Sequence, residues 1–436
     1  MNEAPFSESA KRFLEFLSEH PAAPKFNFSS TDMLDHRRLA EVQHFAQMDR
    51  LFWAEDEVPQ WVFELTKRVF RDVPYYREMG DPPTDFRAVP TISREELAEH
   101  PELLVPDNLE LEELTVYTTS GTTGPALKIP TDPAVSSKTL VIMEHLLGLH
   151  GLRLYRGPGK VAVAALFYQE QTLTYPSLSH YLEGAAALKL NLHESNWKGP
   201  SDRAVYLQEA APAVLTGCPL SLHKVTEIAP ELEPLAVFSS ATPLSEGLRD
   251  RLGEVYGCPV FDVYSLTEAK FIAARGKGVE HDLLAPDLYV EILDQTGRVV
   301  AAGERGEITL TGGRNRYLPL LRYRTGDYAS LGYRGHQPFL CGLQGREDVR
   351  LRDGRGQDIP SLDVVHALRD LHLVGFSFGQ NDQGHYRMRF HGDAKAEEVE
   401  AALREGLGLV GEALRVDEWD GKARQWIGKI GIRSST

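Results

Sequence analysis

Apolar residues recur at three- and four-residue spacing in three early stretches of the chain, 7–17, 39–53 and 61–70, the period of helices that bury one stripe. Past residue 116 the pattern changes. Short apolar and β-branched runs, VAVAALF (161–167), AVLTG (213–217), LAVFSS (235–240) and PVFDVYS (259–265), alternate with helix-like stretches such as LSEGLRDRLGEVYG (244–257). Unbroken apolar runs separated by helices predict a largely parallel sheet covered on both faces. After about residue 285 strands separated by turns take over: DLYVEILDQTGRVV (287–300) reads as a hairpin turning at Thr296 and Gly297, and GEITLTG (306–312) follows. A polar stretch rich in Gly and Arg (342–358) then precedes a final segment with its own helix and strand signals. The expected fold class is α/β: a large N-terminal domain, residues 1–344, with parallel sheets and a β-rich subdomain, then a small α+β domain, residues 345–436.

Length agrees with that division, since 436 residues exceed what one hydrophobic core usually organises. A formal net charge of −16 sets the whole-molecule field against nucleic acid and anionic membrane, so any phosphate binding must be local. The three cysteines, Cys218, Cys258 and Cys341, lie far apart with no metal-ligand spacing, which fits a reducing cytosol. The opening residues lack the apolar core of a signal peptide, and no apolar run reaches membrane-spanning length. A soluble cytoplasmic protein with no nucleic-acid or membrane partner is expected.

The sharpest local signal is TVYTTSGTTGPALKIP (115–130), a β-like run opening into a loop dense in Gly, Ser and Thr. Glycines let backbone N–H groups converge on an anion, and hydroxyls add donors, so a phosphate cradle is its natural use. It is not a Walker A loop, and such a loop alone is more often an ordinary turn.

Three further motifs change that. Ser120-Gly121-Thr122-Thr123-Gly124 resembles the phosphate loop of the superfamily of acyl-CoA synthetases, peptide-synthetase adenylation domains and luciferases. FDVYSLTEA (261–269) is similar to its aromatic-x-x-[ST]-Glu element, LRYRTGD (321–327) to its Tyr-Arg-Thr-Gly-Asp element, and GREDV (345–349) to its Gly-Arg-x-Asp hinge. RDVPYYREMG (71–80) and FRAVPTISREEL (86–97) resemble N-terminal elements of the compact phenylacetate-CoA ligase group. The resemblance runs from about residue 65 to the C-terminus.

It implies an enzyme that activates a carboxylic acid with ATP and Mg²⁺ as an acyl-adenylate, releases pyrophosphate and passes the acyl group to a thiol, with coenzyme A as the expected acceptor. Thr119, Ser120, Gly121, Thr122, Thr123 and Gly124 would cradle phosphate; Tyr264 would stack on adenine, with Ser265 beside it and the backbone of Ser240, Ala241 and Thr242 at its edge. Glu268, beside Thr267, would hold the metal; Asp327 would take the ribose hydroxyls, with Arg346 near the ribose and phosphates. Asp348 would be the hinge of a mobile C-terminal domain. Phe167 and Tyr168 fall where relatives border the acid, and a compact aryl or heteroaryl acid is expected. For the mobile catalytic lysine, Lys422 is chosen over Lys429.

Some positions depart from the pattern. Lys128 stands one place later than the lysine that follows the loop in many relatives, and SSATP (239–243) replaces a Gly-Ala-Glu/Gly-Pro run. Only His281 and, well beyond it, Cys341 follow the Glu-bearing element, so no structural zinc is expected. Transfer to a carrier protein or an amine, a homodimeric assembly, and a non-catalytic nucleotide-binding module stay open at this stage.

Overall fold

The computed structural model describes residues 6–48, 52–118, 127–284, 286–345, 350–419 and 426–427. The early periodicity produces helices Glu8–Glu19, His36–Gln47 and Gln60–Asp72, the first two capped by the side chains of Ser7 and Asp35. The second stops short of the expected Trp53. That indole is instead buried edge-on against the Tyr289 ring, 4.9 Å between centroids, which fixes the chain in the core.

Beyond a small hairpin of β1 (Thr115–Thr118) and β2 (Lys128–Thr131), twelve strands form one sheet. Its strands are β3 (Val161–Phe167), β4 (Tyr175–Ser179), β5 (Ala185–Asn191), β6 (Val214–Gly217), β7 (Ala236–Ser239) and β8 (Val260–Leu266), continued by β9 (Lys270–Arg275), β10 (His281–Leu283), β11 (Leu288–Leu293), β12 (Arg305–Gly312), β13 (Leu320–Arg334) and β14 (Gln337–Gln344). The order is β11-β12-β13-β14-β10-β9-β8-β7-β6-β3-β5-β4. Within it β5, β3, β6, β7 and β8 are parallel. Alternate residues serve two cores: Ala162, Val214, Ala236 and Phe238 on one face, Val161, Leu215 and Val237 on the other.

The expected parallel strands and the β-rich part that follows them belong to one mixed sheet. From β8 to β14 every further pairing is antiparallel, and these strands continue the same sheet. The expected hairpin at 287–300 forms as a short one: the Asp294 N–H donates to the Arg298 carbonyl (2.8 Å), the Val300 N–H to that of Ile292 (3.0 Å), and Leu293 bridges Val299, while β11 takes its long ladder from β12.

A further group of buried residues, including Leu351, Phe378, Met388 and Leu403, forms a core of its own around strands β17 (Leu373–Gln380), β18 (Tyr386–Gly392), β19 (Gly411–Arg415) and β20 (Trp426–Ile427), after the short pair β15 (Arg350–Arg352) and β16 (Asp358–Pro360). This unit docks on helix Glu246–Tyr256: Ser245 Oγ donates to the Leu373 carbonyl (2.7 Å), and the Glu246 N–H donates to that of Arg369 (2.8 Å). Gly247 lies so close that an added Cβ would sit 2.5 Å from the His372 nitrogen.

β13 also ties the N-terminal region to the sheet. Arg322, left-handed at φ +45° and buried, has Nε 3.1 Å from Glu291 Oε2 and donates through Nη1 to the carbonyls of Arg87 (2.5 Å) and Val89 (2.9 Å). Burial raises the pKa of Glu291 and the Arg322 guanidinium opposes that rise. Arg322→Met would strand the carboxylate, and is expected to cost about 3–5 kcal/mol, read as a lower denaturant midpoint. The double variant Arg322→Met/Glu291→Met should recover part of that loss.

Candidate functional site

Parallel strands deliver their carboxyl ends to one edge, and the crevice outside those ends is where open α/β sheets place ligands. Here the edge comprises Phe167 (β3), Gly217 (β6), Ser239 (β7) and Leu266 (β8). The turn from β8 to β9 carries Thr267 and Glu268.

Glu268 is only 4% exposed, a burial a carboxylate tolerates when its charge is matched. Tyr323 donates its hydroxyl to Oε1 at 2.7 Å, and Arg94 Nη1 lies 3.6 Å away. The chain brings Arg94 there by running residues 92–94 along β13, with the Ile92 N–H donating to the Arg322 carbonyl and the Arg324 N–H to that of Ile92. Helix Arg94–Glu99 is then fixed by a capping box between Ser93 and Glu96, and Tyr75 donates to Glu96 at 2.9 Å. The two N-terminal sequence elements thus brace the acidic residue through Arg94.

Tyr264, expected as a stacking ring, is buried and donates its hydroxyl to Asp327 Oδ2 at 2.8 Å. The structure therefore joins two of the expected site residues, 63 positions apart, by one hydrogen bond. Gly326, at φ +78°, turns the backbone before Asp327. Gly345 abuts the same carboxylate: a Cβ built there would be 3.9 Å from Oδ1. Asp327 so lies beside the residue that follows the last strand of the large sheet.

After β7, Ser240 stays tied to β6 through its N–H and the Gly217 carbonyl (2.9 Å). Ala241 adopts φ +75°, a left-handed conformation costly for a non-glycine residue, and is exposed together with Thr242. Ser265 and Thr267 are half-buried in the same turn region.

Of the two aromatics expected at the acid, Phe167 lies at the strand end with the Lys189 ammonium 4.9 Å from its ring centroid. Tyr168 turns to the other side, toward Lys224 and the His193 ring, and its hydroxyl lies 3.5 Å from Glu194. The structure separates these neighbours. Lys270, left-handed at φ +57°, holds its ammonium 4.4 Å from the Tyr117 ring centroid at the end of β1. Burial pulls its pKa down to about 8, against the charge of nearby Glu268, which raises it.

The loop residues Thr119, Ser120, Gly121, Thr122, Thr123 and Gly124, with Arg346, Asp348, Lys422 and Lys429, lie outside the described residues. The hairpin pairs Thr118 with Lys128, which closes the loop at its base and leaves Lys128 exposed. Sequence reasoning gave no role to Arg94, Tyr323 or Lys270. Arg94 and Tyr323 sit inside quoted motifs and Lys270 directly follows one; the signal was a basic residue at a helix start or heading the apolar strand KFIAAR.

Among the described residues no group of three His, Cys, Asp or Glu has the arrangement to hold a metal ion. A lone buried carboxylate beside hydroxyls instead suits Mg²⁺, which usually keeps waters and takes its other ligands from substrate phosphates. A cavity of about 440 Å³ elsewhere, against residues 41–48, is lined in part by the ion pair of Arg314 with Asp287 at 2.9 Å. No helix among the described residues is long and apolar enough to cross a membrane.

No family model matches the chain. Protein CapK of Staphylococcus aureus is 22% identical over 279 residues, 61% of this chain; the chain spans only about 60% of that curated relative's length. Among solved structures, 2-hydroxyisobutyryl-CoA ligase in the postadenylation state with 2-HIB-AMP superposes with a TM-score of 0.66 at 19% identity, covering 87% of this chain and 91% of that one. ATP-bound MatB from Rhodopseudomonas palustris superposes at 0.50 and 16% identity, over 72% and 66%. The chain has the fold of these two solved structures.

The environment of Lys270 is testable by competitive amine labelling at graded pH, read by mass spectrometry. Its reactivity should titrate near pH 8. Since Glu268 raises that value, Glu268→Gln should move it lower still; a midpoint near that of surface lysines would show the ammonium to be solvated.

Proposed function

We propose that the chain is an AMP-forming acid–thiol ligase, similar to phenylacetate-CoA ligases, that activates an aryl or heteroaryl acid with ATP and Mg²⁺ and transfers the acyl group to coenzyme A. The observation that carries this reading is the convergence of Glu268 and the Tyr264–Asp327 pair at the carboxyl end of β8, beside the hairpin whose loop bears the Gly/Thr motif. The fold shared with a ligase solved in its postadenylation state supports it.

A carboxylate is a poor electrophile. In the proposed reaction its oxygen attacks the α-phosphorus of ATP and the bond to pyrophosphate breaks, leaving a mixed anhydride open to thiol attack. Such transfer depends mainly on positioning and charge stabilisation, so no protein nucleophile is required. Tyr264 offers a ring for adenine, the backbone at Ser240, Ala241 and Thr242 its edge, and Asp327 an acceptor for the ribose hydroxyls. Residues 119–124 would hold phosphate and Arg346 would sit near the ribose. Mg²⁺, held by Glu268 beside Thr267 and Ser265, would neutralise charge on the phosphates. The C-terminal domain, from residue 345, would turn about Asp348 and present Lys422 during adenylation.

Pyrophosphate release should require ATP, Mg²⁺ and a carboxylic acid together. Glu268→Gln is expected to lower its rate by about 10²–10³-fold at limiting Mg²⁺, with partial recovery in excess Mg²⁺. Folded protein that releases none across a broad acid panel would end the enzyme reading. Product analysis with and without coenzyme A decides the acceptor.

The mobile lysine has its own signature. Lys422→Ala should lose most adenylation yet still convert supplied acyl-adenylate and thiol into thioester, because an ammonium at the α-phosphate acts only while pyrophosphate leaves. Lys429→Ala should be mild in both half-reactions. A severe adenylation defect confined to the latter would move the role.

A further inference from the structure

β5 reads AAALKLN, an apolar strand interrupted by one charge, Lys189. Its register explains where the side chain goes. Lys189 lies directly opposite Tyr175 on β4 and Ala165 on β3, and opposed residues share a face of the sheet. Two positions beyond Ala165 on that face is Phe167. The ammonium consequently hangs over two rings, 4.9 Å from the centroid of Phe167 and 5.8 Å from that of Tyr175.

Neither Lys189 nor Lys270 forms an ion pair with a carboxylate among the described residues. On Lys189 burial alone acts, drawing its pKa down. A half-buried ammonium without a counter-ion is unfavourable, and a ring face returns only about 0.5–2 kcal/mol. Lys270 also lies over a ring, though with the Glu268 charge nearby, and the two lysines are linked by aromatic side chains. Tyr117, under Lys270, is near enough to Tyr175 to affect its ionisation, while Phe28 packs on Tyr175 with centroids 5.7 Å apart. An aromatic wall thus runs between two cations, one beside Glu268 and one under Phe167. In a chain of net charge −16, a dianion would be repelled unless cations were placed locally to receive it.

We propose that the acid taken up here carries a second carboxylate besides the one that reacts: Lys270 faces the reacting carboxylate, and Lys189 receives the second across the wall of Tyr117, Tyr175 and Phe167. This rests on the adenylation reading and sharpens its substrate class to compact aromatic dicarboxylic acids. Lys189 is then a specificity-determining residue. Bond changes are those of the parent reaction; the second carboxylate stays ionised and unreacted.

The test pairs two readouts on the full chain. Pyrophosphate release is measured for benzoate, phenylacetate and their ring-carboxylated counterparts, and binding of the same acids without ATP is measured by calorimetry. The parent should favour a diacid over its monoacid by at least about tenfold in kcat/KM. In Lys189→Met the diacid KM should rise at least about tenfold more than the monoacid KM, and Lys189→Arg should restore most of the difference. Lys270→Met should depress kcat for both classes. A parent enzyme that treats both classes alike, or a Lys189→Met effect equal on both, overturns the proposal while leaving adenylation intact. Lys189-dependent diacid binding with no pyrophosphate from any acid would instead remove the adenylation reading and keep the charge recognition.

Discussion

The irregularity in β13 at Arg322 is the constraint on which the candidate site depends. Arg322 reaches the buried Glu291 and the carbonyls of Arg87 and Val89, whereas the next residue, Tyr323, donates to Glu268. Between Leu320 and Tyr323 the ladder with β12 shifts register, and Arg322 takes the left-handed φ of +45°. Such a bulge re-aims a side chain that regular pairing would hold in the ladder. One strand therefore anchors the N-terminal region through Arg322 and orders Glu268 through Tyr323; losing either contact would leave a buried carboxylate short of a partner. Four positions later the same strand presents Asp327 to Tyr264.

The parallel half of the sheet was legible because its strands are near-continuous apolar runs whose bounds fall within a residue or two of those observed. The antiparallel half was not. Its pairing joins β10 to β14 and β9 to β10, and a local pattern carries no record of which distant strand becomes a neighbour. The turn from Leu293 to Val299 shows the limit: with Gly297 at its turn it was legible and closes as a short hairpin, but nothing local showed that β11 takes its long ladder from β12.

The site shows the same division. Tyr264, Glu268 and Asp327 stand in short motifs and could be named from sequence; the bond between Tyr264 and Asp327 could not, since it depends on how β8 and β13 are aligned through the strands between them. Arg94 was hidden at a helix start, where a basic residue ordinarily faces solvent. Only the path of residues 92–94 along β13 turns it toward Glu268. Phe167 and Tyr168 looked equivalent as neighbours in sequence, and the strand end sends them to different surroundings.

The docking of the C-terminal unit at Gly247 has a bearing on how such chains can be recombined. A helix position without a Cβ meets backbone atoms of residues 371 and 372, and Ser245 and Glu246 bond to carbonyls rather than to side chains. The same joint also carries side chains: the His223 ring meets those of His372 and His391 edge-on at 5.6 Å, and Val374 enters the core beneath the large sheet. A C-terminal unit grafted from a divergent chain would therefore have to match the backbone curve at the glycine and also supply the two rings and the apolar residue that meet this surface.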